Sequence, residues 1–217
     1  LLNNNYIYNK GAACTYPYRS LSGNVYLHAY VDCFLSGNRI AATSFYYTRG
    51  MIDLRGKGFL GFEQVQARDI IRNTITTQTF NPVNFGTMTS IDGPAASATF
   101  SYNISVTANK LAKITLFQKT ETDKLTNTSV NSTYSYDSYG NPTYENKNYG
   151  NGLTTVTSNS YHNLTGSPYK LGVLYQQITT SSRNGQSSTE KMYVSAFDPS
   201  SKLPLVVVES KDNNQVS

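Results

Sequence analysis

"STYSYDSYGNPTYENKNYG" runs from Ser132 to Gly150. Tyr134 and Tyr136 are two residues apart, so in an extended strand both side chains point to one face. Asp137 follows, a residue type whose carboxylate captures nearby backbone N–H groups and opens turns. Gly140 and Asn141 tolerate positive φ, and Pro142 stops any helical continuation. The stretch reads strand, tight turn, strand, with its tyrosines placed to stack across neighbouring strands.

Outward from this unit the same grammar recurs. From Ser129 onward short strands alternate with the turn sequences "DSYGNP", "NYGNG", "NLTGSP", "SRNGQ" and "DPSS". Before it, Phe100, Tyr102, Ile104 and Val106 alternate along one strand. "TANK" (107–110) makes the turn, and Ile114, Leu116 and Gln118 continue on the next strand. Val65 to Phe80 is ambiguous at its start, where Gln64 to Arg72 has the length of a short helix. Its Thr-rich end favours one long strand throughout, broken by "NPVNFG" (81–86). Gly23 to Phe34 alternates with a period of two, placing Val25, Leu27, Ala29, Val31 and Cys33 on one face. "SGN" (36–38) then turns the chain into "RIAATSFYYT", which predicts an antiparallel hairpin. Nothing after Asp69 keeps a helical period. The expected fold is all-β, with antiparallel strand repeats forming an extended, curved, open sheet. A soft change near residues 81–94 separates residues 1–93 from 94–217 without a firm boundary.

Composition agrees with a sheet that stays wet. Only 14% of residues are charged and 38% are hydrophobic, while tyrosine occurs 18 times and tryptophan never. So low an apolar content fits a structure with much solvated sheet surface. The formal charge of +5 is spread singly along the chain, with none of the basic clustering of nucleic-acid binders. No apolar run is long enough for a transmembrane helix, and no membrane insertion is expected. The chain opens on "LLNNNYIYNKG" without a methionine and stops inside a polar run, which reads as part of a longer polypeptide. Cys14 and Cys33 leave two alternatives open: a disulfide, which would add about 3 kcal/mol for a loop of this size, or two free buried thiols.

A second informative stretch is "MIDLRGKGFLGFEQVQARD" (Met51 to Asp69). Gly56-Lys57-Gly58-Phe59-Leu60-Gly61 satisfies GxGxxG as letters. It opens no clear helix and lacks the GK[ST] ending, so a phosphate cradle is disfavoured. The structural reading is that Gly56, Gly58 and Gly61 let a strand bend or bulge, while Phe59 and Phe62 anchor it to a core. Arg49, Asp53, Arg55, Glu63, Arg68 and Asp69 are candidates for a polar site, with solvated faces as the default. Asp137 as a catalytic acid would need a second carboxylate at a defined distance; Glu121, Asp123 and Glu145 are near only in sequence. His28 and His162 are the only histidines, no serine sits in GxSxG, and no Cys/His cluster has metal-ligand spacing. No catalysis, cofactor or metal site is expected.

Tyr136, Asp137, Gly140 and Asn141 resemble the YD repeat of RHS-repeat proteins, a family that includes the B and C components of bacterial insecticidal Tc toxins. "YVSAFDPSSKL" (Tyr193 to Leu203) is similar to a degraded second copy. Phe197 replaces the tyrosine, Asp198 is kept, and Ser201 or Lys202 stands where glycine is expected. Gly56, Gly58, Phe59, Leu60, Gly61, Phe62 and Glu63 are similar to a segment that precedes the YD repeats in that family. The resemblance implies a non-catalytic section of a β-sheet shell in a secreted or cell-surface bacterial protein. Such a shell encloses or presents a C-terminal toxin or effector domain. The implied partner is the rest of the parent polypeptide, with no nucleic acid. The family's self-cleaving protease signature is not present, so that activity is not carried over. An alternative is a carbohydrate-binding adhesion module that takes a glycan on rows of exposed tyrosine. The alternative predicts a groove with co-facial exposed tyrosines. The shell predicts tyrosines stacked on adjacent strands and open sheet edges.

Overall fold

The computed structural model describes residues 7–22, 26–108, 111–166 and 169–214. Among these there is no helix, and the fold is all-β. Fifteen strands occur in chain order: β1 (Tyr8–Asn9), β2 (Tyr18–Ser20), β3 (Tyr30–Leu35), β4 (Asn38–Asp53), β5 (Gly58–Asp69), β6 (Thr74–Asn81), β7 (Thr87–Asp92), β8 (Ala96–Val106), β9 (Ala112–Asp123), β10 (Thr128–Tyr136), β11 (Pro142–Asn148), β12 (Leu153–Leu164), β13 (Lys170–Arg183), β14 (Gln186–Phe197) and β15 (Pro204–Asn214). From β4 to β15 each strand neighbours the next in one open sheet, and β1, β2 and β3 all pair with β4. β1 runs parallel to β4, whereas β2 and β3 are antiparallel to it, so the sheet is mixed. The chain divides into two compact units, residues 1–100 with 123–126, and residues 101–122 with 127–217.

Turn chemistry explains why a meander forms. Ser36 and Gly37 both have positive φ, 50° and 79°, the requirement of a two-residue hairpin turn whose twist matches the strands. Longer turns use one device repeatedly. Asp69 Oδ1 accepts from the backbone N–H groups of Ile71 and Arg72, both at 2.9 Å, and Asn73 closes the loop at φ 54°. Asp123 Oδ1 does the same with Leu125 and Thr126, and Asn127 closes at φ 53°. Asp198 Oδ1 accepts from Ser200 and Ser201, and Lys202 closes at φ 55°.

The Asp69 turn corrects one expectation. Val65 to Phe80 is neither one long strand nor a helical start. β5 ends at Asp69, residues 70–73 turn, and β6 returns with Asp69 opposite Thr74. An Asp followed four residues later by an Asn that accepts left-handed backbone outweighs the β propensity of Ile70 and Ile71.

Two further expectations are corrected at the start of the chain. β3 begins only at Tyr30, residues 26–29 are not strand, and every β3 residue is exposed, so the alternating face is not a buried one. Val25 and the "GNV" part of that reading lie outside the described residues, as do residues 109–110 of "TANK" and 167–168 of "NLTGSP". Cys14 and Cys33 are both free, and Cys33 is exposed. Cys33 lies opposite Ala41. Cys14 Sγ is 3.3 Å from Ser20 Oγ, and Ser20 lies opposite Met51. Ten residues of β4 separate those positions, roughly 30 Å of extended chain.

Little of the chain is buried. Among the described residues the buried hydrophobic side chains are Ala42, Met51, Ala98 and Val194, joined by the polar Ser20, Asp53 and Ser132. The accessible surface is 14244 Å². So few buried apolar side chains among the described residues agree with the low apolar content of the sequence.

Candidate functional site

In the first unit the glycine-rich stretch forms the turn between β4 and β5 and then a bulge. Asp53 faces Gly58, Ile52 faces Phe59 and Met51 faces Gly61, so Leu60 is an extra residue in β5. Gly61 has φ 106° and nothing within 4 Å of where a Cβ would stand. The bulge has a steric consequence. Phe59 and Phe62 are an odd number of positions apart and would point to opposite faces of a regular strand. The extra residue lets both point the same way, and their rings meet edge-on at 5.2 Å. Phe62 also packs on Tyr47 at 4.9 Å and Tyr8 at 6.0 Å. Phe62 is the anchor. Phe59 is 52% exposed and covers the edge of Phe62 instead of entering a core, which corrects its expected role. Gly50 completes the contact, since a Cβ there would stand 2.9 Å from Leu21 Cβ and 3.1 Å from the Phe62 ring.

Charged residues around this joint resolve into pairs. Arg49 Nη1 donates to both Glu63 oxygens, at 3.3 and 3.1 Å, across β4 and β5. Asp53 is 2% exposed and accepts from the Arg55 backbone N–H at 2.8 Å and from the Arg55 guanidinium at 3.1 and 2.8 Å. The Arg55 guanidinium beside Asp53 holds its carboxyl at about 2, and the same contact raises Arg55. Asp69 pairs with Arg72 at 2.8 Å. Arg68 donates to Asn73 and does not join these pairs. These three pairs bind their charges to one another.

In the second unit the Ser132–Gly150 stretch is the β10–β11 hairpin. Asp137 Oδ1 accepts from the backbone N–H groups of Tyr139 and Asn141, both at 2.9 Å, and Gly140 supplies φ 93°. Asp137 Oδ2 accepts from the side-chain amides of Asn141 at 2.8 Å and Asn163 at 3.0 Å. Asn163 Oδ1 accepts from the Gly172 backbone N–H at 2.8 Å, joining β12 and β13 to the turn. Burial pushes the Asp137 carboxyl up, but the hydrogen bonds from Asn141, Asn163 and Tyr139 outweigh it, so its value falls below normal. Its lone pairs are spent on architecture, and no second carboxylate shares the turn. Asn163 was not legible as a partner of Asp137, because 26 positions separate them in sequence.

The two tyrosines of this hairpin do border a depression. Side-chain hydrogen bonds from Thr120 to Asn131 and between Thr122 and Ser129 join β9 to β10. A groove of about 490 Å³ lies there, lined by Asn103, Ser105, Lys113, Thr115, Phe117, Tyr134 and Tyr136 among others. Phe117 is 46% exposed, while Tyr134 and Tyr136 are half-buried. Burial pushes both phenols upward, so they are neutral hydrogen-bond donors near neutral pH. Lys113 Nζ donates to the carbonyls of Asp137 and Ser138, each at 3.0 Å, and ties the groove to the turn. Phe117 carried no local signal; only the hairpin register brings it beside the tyrosines.

His162 lies in β12 with its ring 5.6 Å from that of Phe197. His28 lies outside the strands, and its backbone carbonyl accepts from Tyr47 Oη at 3.1 Å. Among the described residues no cluster of three or more His, Cys, Asp or Glu side chains could hold a metal ion. No protein-family model matches this chain, and no curated protein sequence matches it.

Proposed function

We propose that this chain is a non-catalytic section of a β-sheet wall of the RHS/YD-repeat kind, in a secreted or cell-surface bacterial protein. The wall encloses or presents a toxin or effector domain supplied by the rest of the parent polypeptide. The observation that carries the reading is the open meander built on repeated Asp-led turns, whose polar groups satisfy one another and whose faces carry almost no core. A sheet of this kind divides space and does little chemistry. Of the residues that match the repeat, Asp137, Gly140 and Asn141 act here on turn geometry, while Tyr136 lines the groove. Those that match the preceding segment shape the β5 bulge. Determining the complete reading frame of the parent tests the proposal. Further YD repeats followed by a C-terminal domain of separate composition are expected; a short parent with neither overturns it.

A second reading is favoured by the groove of Phe117, Tyr134 and Tyr136. Aromatic faces bordered by Asn103, Ser105 and Thr115 suit the apolar face and hydroxyl edges of a sugar ring. Under this reading the chain is a carbohydrate-binding adhesion module. Glycan-array binding that disappears in Phe117→Ala and Tyr134→Ala, with folding retained, would place it ahead of the wall.

A further inference from the structure

The groove of Phe117, Tyr134 and Tyr136 lies on β8, β9 and β10, which are consecutive neighbours in the sheet. Strand alternation puts Asn103 and Ser105 on one face of β8, Lys113, Thr115 and Phe117 on one face of β9, and Tyr134 and Tyr136 on one face of β10. All of these line the groove. Lys113 is the charged residue of that lining, and no carboxylate belongs to it. Carboxylates close by are held elsewhere. Glu145, which acts on both phenols, pairs with Lys147 at 3.1 Å. The Asp137 carboxylate accepts from Tyr139, Asn141 and Asn163. A lysine ammonium has three N–H donors, and Lys113 Nζ spends two of them on the carbonyls of Asp137 and Ser138, each at 3.0 Å. Carbonyls satisfy donors without cancelling a charge. One N–H and the positive charge therefore remain for a ligand.

We infer that the groove takes an acidic oligosaccharide, with one sugar ring on Phe117 and the carboxylate of a linked unit on Lys113. The inference rests on the saccharide reading of the groove and not on the wall reading; it adds the ligand's charge and its length. The charge follows from the lining. A neutral sugar leaves the third Lys113 N–H to water, whereas a uronate carboxylate takes it in a charge-assisted hydrogen bond. The length follows from β9. Lys113 and Phe117 are four residues apart, about 13 Å of extended strand, and the Lys113 amine reaches on to the β10–β11 turn. A single ring stacked on Phe117 falls short of the amine, and linked rings bridge the distance. Between the two ends Tyr134 and Tyr136 supply phenol donors. Asn103, Ser105 and Thr115 supply further polar groups for ring hydroxyls.

An array of uronate oligosaccharides, each printed beside its methyl ester, tests the inference on the 217-residue chain. The ester keeps every ring and removes only the charge. At least one acid should bind about tenfold more tightly than its ester. The difference should shrink at high salt, and the matching monosaccharide should bind more weakly than the oligomer. Lys113→Gln should bring the acid down to the level of its ester. Lys113→Arg keeps the charge and should retain much of the preference. Phe117→Ala should weaken acid and ester alike. Lys113 also ties the turn, so circular dichroism and thermal melts confirm that each variant folds. The acid-to-ester ratio reads the charge separately from any loss of stability. Esters bound as tightly as their acids overturn the inference and leave the saccharide reading standing. So does a preference for the acid that survives Lys113→Gln, or a monosaccharide bound as tightly as its oligomer. Binding of neither acid nor ester overturns both.

Discussion

Replacing Gly61 with valine isolates what the glycine-rich joint contributes. At Gly61 the backbone sits at φ 106°, and no heavy atom lies within 4 Å of a new Cβ. For alanine, therefore, collision of the Cβ contributes nothing and the effect is conformational. An L-residue in left-handed backbone costs about 1–2 kcal/mol, and a β-branched one is a stronger outlier. Gly61→Ala should thus cost about 2 kcal/mol and Gly61→Val about 3 kcal/mol. For a chain of this length the valine variant should melt roughly 6–12 °C lower. If the strand escapes the strain by losing the bulge, Phe59 and Phe62 move to opposite faces. The contacts of Phe62 with Tyr8 and Tyr47 are then at risk. Gly166 is the comparator, since it has no positive φ and also nothing within 4 Å, and Gly166→Ala should be near neutral. Thermal melts of the three variants followed by circular dichroism decide it. A Gly61→Val protein that melts with the parent, or a Gly166→Ala protein that falls as far, refutes the reasoning.

Gly172→Ala should cost about 2–3 kcal/mol in urea titrations, because a φ of 73° is joined by a Cβ only 2.7 Å from Asn141 Oδ1. Combining it with Asn141→Ala should cost less than the sum of the two single changes, since the clash is shared. Lys202→Gly should raise the melting temperature by a few degrees, about 1 kcal/mol, because Lys202 holds φ 55° where glycine carries no Cβ penalty. Acid should unfold the protein through its turns. Asp53 is lowered from 3.8 to about 2, and Asp69, Asp123, Asp137 and Asp198 are lowered as well. A carboxyl whose folded value is depressed contributes stability that is fully present above its unfolded value and lost as pH falls through its folded one. Urea midpoints should accordingly be flat from pH 7 to about 5 and fall steeply between about 4 and 2; a midpoint unchanged at pH 2.5 would contradict this.

The strands and turns were legible wherever one chemical signal dominated. Tyr134, Tyr136 and Asp137 read as strand then turn, and the φ > 0 pair at Ser36 and Gly37 lies where "SGN" predicts a turn. The turn at residues 70–73 was misread because Ile70 and Ile71 speak for a strand, while the deciding signal is Asp69 with Asn73 four residues on. The same spacing, Asp123 to Asn127 and Asp198 to Lys202, shows that an Asp-led loop is a better marker here than glycine. The groove was beyond reach of sequence alone. Its partners Phe117 and Tyr134 are joined only by hairpin register, which depends on a turn length that had to be known first. Cys14 and Cys33 differ again: their separation follows from where β2 and β3 dock along β4, a tertiary choice with no local trace.

The most direct test of the central claim is a cryo-EM structure of the intact parent protein. The account predicts that the strands from β4 to β15 form consecutive strips of a wall around an enclosed volume, with the following domain inside it. A parent in which these strands stand free, with a saccharide seated against Phe117 and Tyr134 and no enclosed domain, would contradict it.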